Sequence, residues 1–296
     1  MKDDSKSIIK KNSSTQKKSS FEIPSPVIRK GKILQFFSTT LATNFALKIF
    51  RTPPKIKIPE REAMMRESAK KEIITIPAID KEIMVYEYGY SKQKVLLVHG
   101  WAGRGTQLYD IADNILENRM MVVSFDAPAH GLSKGDTTNL PEYVAAINYV
   151  NEIYGPFEAA IGHSFGGVTL LAALKDNNFV KKLIVIGIDC SINNVIDNFV
   201  KKLQLKQKVA TKIKKHLTTL FKRDIESVSP CETAKNMRIP TLILHDTMDV
   251  DVDVSNAYKI RQNLGNGELL VTNGLGHRRI LRNKNVINRI IDFIIE

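Results

Sequence analysis

Ser164 lies in Gly162-His163-Ser164-Phe165-Gly166, where a glycine stands two residues to either side of a hydroxyl. A serine that attacks a carbonyl must be presented on a sharply turned backbone, and only glycine lets neighbouring chain approach that closely. Its hydroxyl is a weak nucleophile at neutral pH and needs a base. Of the six histidines, His99, His130 and His163 sit inside other motif-like segments, His216 falls in a helical pattern, and His245 ends a predicted strand. His277 remains, in the Gly-rich loop Asn273-Gly274-Leu275-Gly276-His277, from which it can swing toward a nucleophile. A carboxylate should orient that imidazole and stabilise its charged form. Asp249, just past a predicted strand at Thr241–Leu244, is favoured; Asp189, just past Ile188, and then Asp246 are the alternatives. Two N–H donors should hold the oxyanion. One is that of Phe165; the other comes from His99-Gly100-Trp101-Ala102-Gly103, with Trp101 favoured.

These groups need a frame that brings four distant segments to one edge. From Glu72 onward, short β-rich runs alternate with helical stretches. Strands are predicted at Ile73–Ile76, Ile83–Tyr88, Val95–Val98, Met121–Phe125, Phe157–Ile161, Leu183–Ile188, Thr241–Leu244 and Glu268–Val271. Helices are predicted at Gln107–Glu117, Pro141–Ile153, Phe165–Leu174, near Val254–Asn263, and at Val286–Ile294. This is the rhythm of an α/β fold, a mostly parallel sheet with helices on both faces. Between the sixth and seventh strands, residues 189–238 carry two amphipathic helical patterns with Lys201, Lys202, Lys206, Lys208, Lys212, Lys214 and Lys215 outward. That helical cap should cover the carboxyl ends of the strands, where open α/β sheets bind ligands. The core is then 61–188 with 239–296.

Residues 1–60 stand apart. Residues 1–20 are Lys/Ser/Asn-rich and should be disordered. One amphipathic helix is expected over 32–50, halted by Pro53-Pro54, with a polar stripe (Lys32, Gln35, Thr39, Thr43) opposite an apolar one (Leu34, Phe37, Leu41, Phe45). It either packs on the main domain or lies on a membrane. The net charge of +13 is uneven: 13 Lys/Arg against 3 Asp/Glu in residues 1–57, and 11 against 5 in residues 189–238. A weak peripheral membrane contact through residues 1–57 is therefore an expectation, whereas a basic stretch without interleaved aromatics argues against nucleic acid. Two cysteines, Cys190 and Cys231, are expected to be free thiols in a reducing, cytoplasmic setting, with a peripheral place at the inner face of a membrane as the alternative. No metal-ligand cluster or nucleotide-binding loop is evident, so no cofactor is expected.

Four segments in matching order resemble the α/β-hydrolase superfamily, in its subset with a helical cap after the sixth strand. They are HGWAG at 99–103, DAPAHGLS at 126–133, GHSFGG at 162–167, and Asp249 with GLGH at 274–277. The order Ser164, Asp249, His277 is that family's order of nucleophile, acid and base. The resemblance covers residues 72–296 and implies a Ser164–Asp249–His277 triad with a Trp101/Phe165 oxyanion hole. It is similar to the family's pattern except at Asp246, where glycine is usual, and Asp253, where proline often stands. The implied function is hydrolysis of a carboxylic ester of a small or medium acyl substrate. A thioesterase acting on a CoA or carrier-protein substrate and a non-catalytic binding protein are the alternatives.

Overall fold

The computed structural model describes residues 22–175 and 177–296; the segment expected to be disordered, 1–20, lies outside them. Two helices open the described chain, α1 (Ser25–Phe37) and α2 (Thr39–Arg51), followed by the short α3 (Ala63–Ser68). Strands β1 (Lys70–Ile76), β2 (Lys81–Tyr88), β3 (Lys94–Val98) and β4 (Met121–Asp126) come next, with α4 (Tyr109–Glu117) between the last two. Then α5 (Leu140–Tyr154), β5 (Phe157–His163), α6 (Phe165–Leu174) and β6 (Val180–Ile186) alternate. After β6 come the cap helices α7 (Ile192–Lys202), α8 (Gln207–Phe221) and α9 (Pro230–Ala234). The core resumes with β7 (Thr241–Asp246), α10 (Ser255–Asn263), β8 (Gly267–Thr272), α11 (Gly276–Arg279) and α12 (Lys284–Ile295).

Val95–Val98 and β4 are buried along their whole length, so they must be covered on both sides. They are: the eight strands form one sheet in the order β1-β2-β4-β3-β5-β6-β7-β8. Only the β1–β2 and β2–β4 pairings are antiparallel. One face packs Val85, Leu96, Phe125 and Val185 against Tyr143, Ile147, Leu170 and Ile260. The other packs Leu97, Val122, Ile161 and Leu244 against Ile111, Ile115, Ile287 and Ile290. This strand order puts the carboxyl ends of β3, β5, β6 and β7 side by side, and those ends carry the candidate site.

The N-terminal segment departs from expectation. There is no single helix over 32–50, because the chain turns at Ser38, whose backbone is extended and whose Oγ accepts from the N–H groups of Thr40 and Leu41. The turn breaks the stripes. Gln35 accepts from the Lys206 N–H at 2.6 Å, Lys32 reaches Gln204, and Thr43 is buried. Phe37 and Leu41, on the stripe read as apolar, are exposed instead. What α2 buries is Ala42, Ala46 and Leu47, against Ile196, Val200, Val209, Ile213 and Leu217 of the cap. The segment therefore packs on the cap, and together they form a roof with its own apolar core.

The expectation of two free thiols is also corrected. Cys190, just past β6, and Cys231, in α9, form a disulfide with Cα atoms 5.0 Å apart. The Cys231 N–H donates to the Cys190 C=O at 3.1 Å, so the two ends of the cap already meet there, within bridging distance. The pairing removes the cysteine-based argument for a reducing compartment.

Candidate active site

β5 is followed directly by α6, and the single residue between them, Ser164, has φ 52° and ψ −123°. That strained turn is possible because Gly162 and Gly166, two residues to either side, lack side chains. A Cβ on Gly162 would lie 2.5 Å from the Gly167 Cα, and one on Gly166 would lie 2.3 Å from the Val98 C=O oxygen. The Ser164 N–H donates to the Ile186 C=O at 2.8 Å, fastening the turn to β6.

Asp249 and His277 come together at the ends of β7 and β8. The Asp249 Oδ2 is 2.7 Å from His277 Nδ1, and its Oδ1 accepts from the N–H groups of Asp251 and Val252 at 2.9 and 3.0 Å. The Asp249 side chain is 1% exposed and that of His277 is 8% exposed, so water hardly competes for the pair. A carboxylate on Nδ1 leaves Nε2 to act as base, the tautomer that a nucleophile-activating histidine needs. Asp189 makes no such contact: its Oδ1 accepts from the Ser191 N–H at the start of the cap, and burial raises its pKa. Asp246 has a different task. It accepts from the N–H groups of Gly276, Leu275 and Met248 and from the Thr272 hydroxyl. Its burial alone would raise its pKa, but these donors outweigh it and hold the carboxyl below the ordinary value. Asp246 thus ties the His277 loop to β7.

Ser164, Asp249, His277, Trp101 and Phe165 all line one cavity of about 1010 Å³ between the sheet edge and the roof. Among the described residues the Ser164 side chain makes no capping hydrogen bond to α6, so Oγ is not tied back to the helix it precedes. Nor do the N–H groups of Trp101 and Phe165 have a protein acceptor among the described residues, which leaves both able to receive an oxyanion. The loop carrying Trp101 is braced by two buried histidines. His99 Nε2 accepts from the Ala127 N–H at 3.0 Å and its Nδ1 faces the Gly100 C=O; His130 Nε2 accepts from the Ala102 N–H at 3.2 Å. Burial depresses both rings, His130 to about 4, so they remain neutral at pH 7. His163 is neutral for the same reason, and its Nε2–H donates to the His277 C=O at 2.9 Å.

Several of these braces carry no motif of their own in the sequence. Glu62 accepts from Arg104 and from the Thr106 hydroxyl, fixing the chain after Trp101. Asp126 accepts from the Tyr86 hydroxyl and the N–H groups of Gly105 and Leu132. Only Asp126 had a signal, as the first residue of DAPAHGLS. Asp249, Asp251 and His277 also bring one ligand-type atom each within 4.8 Å of one another. Asp249 already uses both oxygens on His277 and two N–H groups, so the cluster reads as an orienting carboxylate rather than a metal cradle.

A family model described as alpha/beta hydrolase fold matches residues 94–220, and one described as TAP-like protein matches residues 222–296. The chain has the α/β-hydrolase fold. No curated protein matches it significantly in sequence. Among solved structures it is similar to the esterase Pf2001 of Pyrococcus furiosus, with a TM-score of 0.63 at 16% identity over 82% of this chain and 98% of that one. It is similar to the esterase EaEST of Exiguobacterium antarcticum, with a TM-score of 0.61 at 18% identity over 77% and 100%. A thioesterase domain from the curacin biosynthetic pathway aligns with a TM-score of 0.58 at 14% identity over 77% and 99%. At these identities the likeness is one of fold.

Proposed function

We propose that this protein is a serine hydrolase that cleaves a carboxylic ester through an acyl-enzyme on Ser164. The observation that carries the reading is the 2.7 Å Asp249–His277 contact in the same cavity as a serine held at positive φ. Ser164 Oγ attacks the ester carbonyl as His277 Nε2 takes its proton, and the oxyanion is received by the N–H groups of Trp101 and Phe165. His277 then returns the proton to the leaving alcohol, and water, activated by the same imidazole, releases the acid. Phe50, Leu140, Val144, Phe165, Val168 and Phe199 give the cavity an apolar wall suited to an acyl chain. Hydrolysis of p-nitrophenyl esters from acetate to palmitate tests this. Turnover that peaks at one chain length and disappears in Ser164→Ala is expected; unchanged turnover in the variant overturns the assignment. A thioester substrate is the second reading, supported by Lys201 and Arg223 on the cavity wall. For an acyl-CoA it requires kcat/KM to fall steeply with salt, and indifference to salt sinks it.

The same chain carries a surface that fits an anionic bilayer, and peripheral contact there is part of the proposal. Ile33, Phe36, Phe37 and Leu41 are 59%, 86%, 74% and 49% exposed around the α1–α2 corner. Lys212 of the cap reaches Thr40 at 2.9 Å, so a basic group stands beside the apolar corner, as suits an interfacial segment. No described helix is long and apolar enough to cross a membrane. Flotation with phosphatidylglycerol-containing vesicles should be lost in the Phe36→Ser/Phe37→Ser variant; equal flotation of both proteins removes the idea.

A further inference from the structure

The catalytic groups leave part of the cavity wall unexplained. Arg51 Nε, Thr138 Oγ1 and Gln107 Oε1 are buried there with no hydrogen-bond partner, as is His163 Nδ1 beside the triad. Thr138 is fully buried, yet its hydroxyl faces no protein group. Buried polar atoms are ordinarily paired, and an orphan guanidinium N–H in an apolar enclosure is costly unless something else occupies the site. Arg51 is held in place by its backbone, since its C=O accepts from the Thr138 N–H at 2.9 Å. The two orphan donors therefore belong to adjacent stretches of chain.

The acidic groups on the same wall are already engaged. Asp249 holds His277, Asp251 lies 3.8 Å from Lys202, and Asp253 and Asp189 accept from the N–H groups of Ser255 and Ser191. Among the described residues no ion pair to Arg51 is formed within the protein. A guanidinium keeps its charge at any working pH, and a cation facing a cavity whose carboxylates are engaged elsewhere calls for an anion from outside.

Resting on the esterase reading, we propose that Arg51 and Thr138 bind an anionic oxygen group of the substrate, a carboxylate or phosphate remote from the scissile carbonyl. The preferred substrates are then charged esters, selected by a residue of α2, which lies outside the stretches matched by the two family models. Gln107 Oε1 accepts from a hydroxyl or water of the same ligand.

Two pairs of substrates locate the charge. On the acyl side, mono-p-nitrophenyl adipate is compared with p-nitrophenyl hexanoate; on the alcohol side, 4-carboxyphenyl hexanoate is compared with 4-carbamoylphenyl hexanoate. In one pair the charged ester should be favoured in kcat/KM, and Arg51→Gln should lower that preference about tenfold or more, mainly through KM. The pair that responds tells whether the charge belongs to the acid or the alcohol. Lys48→Gln, which removes an exposed charge from the same helix, should leave the preference intact and separates a local contact from the general field. Adipate binding measured by calorimetry reads the site without turnover, and it should weaken about tenfold or more in Arg51→Gln. No preference for charge in either pair, a preference that survives Arg51→Gln, or equal adipate binding by both proteins overturns the inference. If no ester is turned over but adipate binding depends on Arg51, the anion site stands and the esterase reading fails.

Discussion

The strand ends that carry the proposed triad are held by close backbone packing and hydrogen bonds, whereas the roof above them is held by apolar side chains. Ser164 is fixed by glycine contacts too close for any Cβ, and the His277 loop by four donors converging on Asp246. In the roof, α2, α7 and α8 meet through Ala42, Ala46, Ile196, Val209, Ile213 and their neighbours, with few hydrogen bonds between them. The comparison teaches where each property resides. On the proposed reading, chemistry sits on the part that tolerates no displacement, and selectivity on a part whose side chains can be exchanged.

The sharpest break in that contrast would come from the acid. Asp249→Asn should lower kcat by about 10⁴ by favouring the wrong imidazole tautomer, while Asp189→Asn should cost far less. Steady-state kinetics on one p-nitrophenyl ester decides this, and equal losses would reassign the acid. Next is the rigid floor. Gly166→Ala forces a Cβ against the Val98 carbonyl and should cost about 3 kcal/mol or more, seen as a large fall in Tm or loss of soluble protein. A silent substitution would mean that the turn is not close-packed.

The roof should yield more locally. Ile213→Ala removes a buried side chain from its core and should cost about 2–4 kcal/mol. Hydrogen exchange should then show lost protection in α2, α7 and α8 together, with β3, β5 and β7 unaffected. Uniform loss would show that roof and floor unfold as one. The smallest effect concerns pH. His99, His130 and His163 bind protons less readily folded than unfolded, where the ordinary value is 6.5. Their contribution to stability is thus full above pH 6.5 and is lost as pH falls toward the His130 value of about 4. Tm should decline from pH 6.5 to pH 5, and the His130 ring should show no titration by NMR above pH 5. A His130 midpoint near 6.5 would contradict its buried, neutral state.

Much of the floor was legible because its constraints are local. Phe165–Leu174 was read with the bounds that α6 has, and Ser164, Asp249 and His277 fall at strand ends that periodicity could find. The roof was less legible for a physical reason. An amphipathic stripe predicts which face is apolar only while the helix is continuous, and Ser38 interrupts it. Arg51 could not be singled out, since only the Thr138 contact and the orphan Nε reveal its position. The Cys190–Cys231 pairing likewise depends on α9 returning to the end of β6, which spacing alone does not dictate.

The central claim is that Ser164 is a nucleophile activated by His277. Reaction with a fluorophosphonate, followed by intact mass and peptide mapping, tests it most directly. A single adduct on Ser164, absent from Ser164→Ala and strongly slowed in His277→Ala, is the result predicted. An adduct elsewhere, or labelling of Ser164 at the same rate without His277, would contradict it.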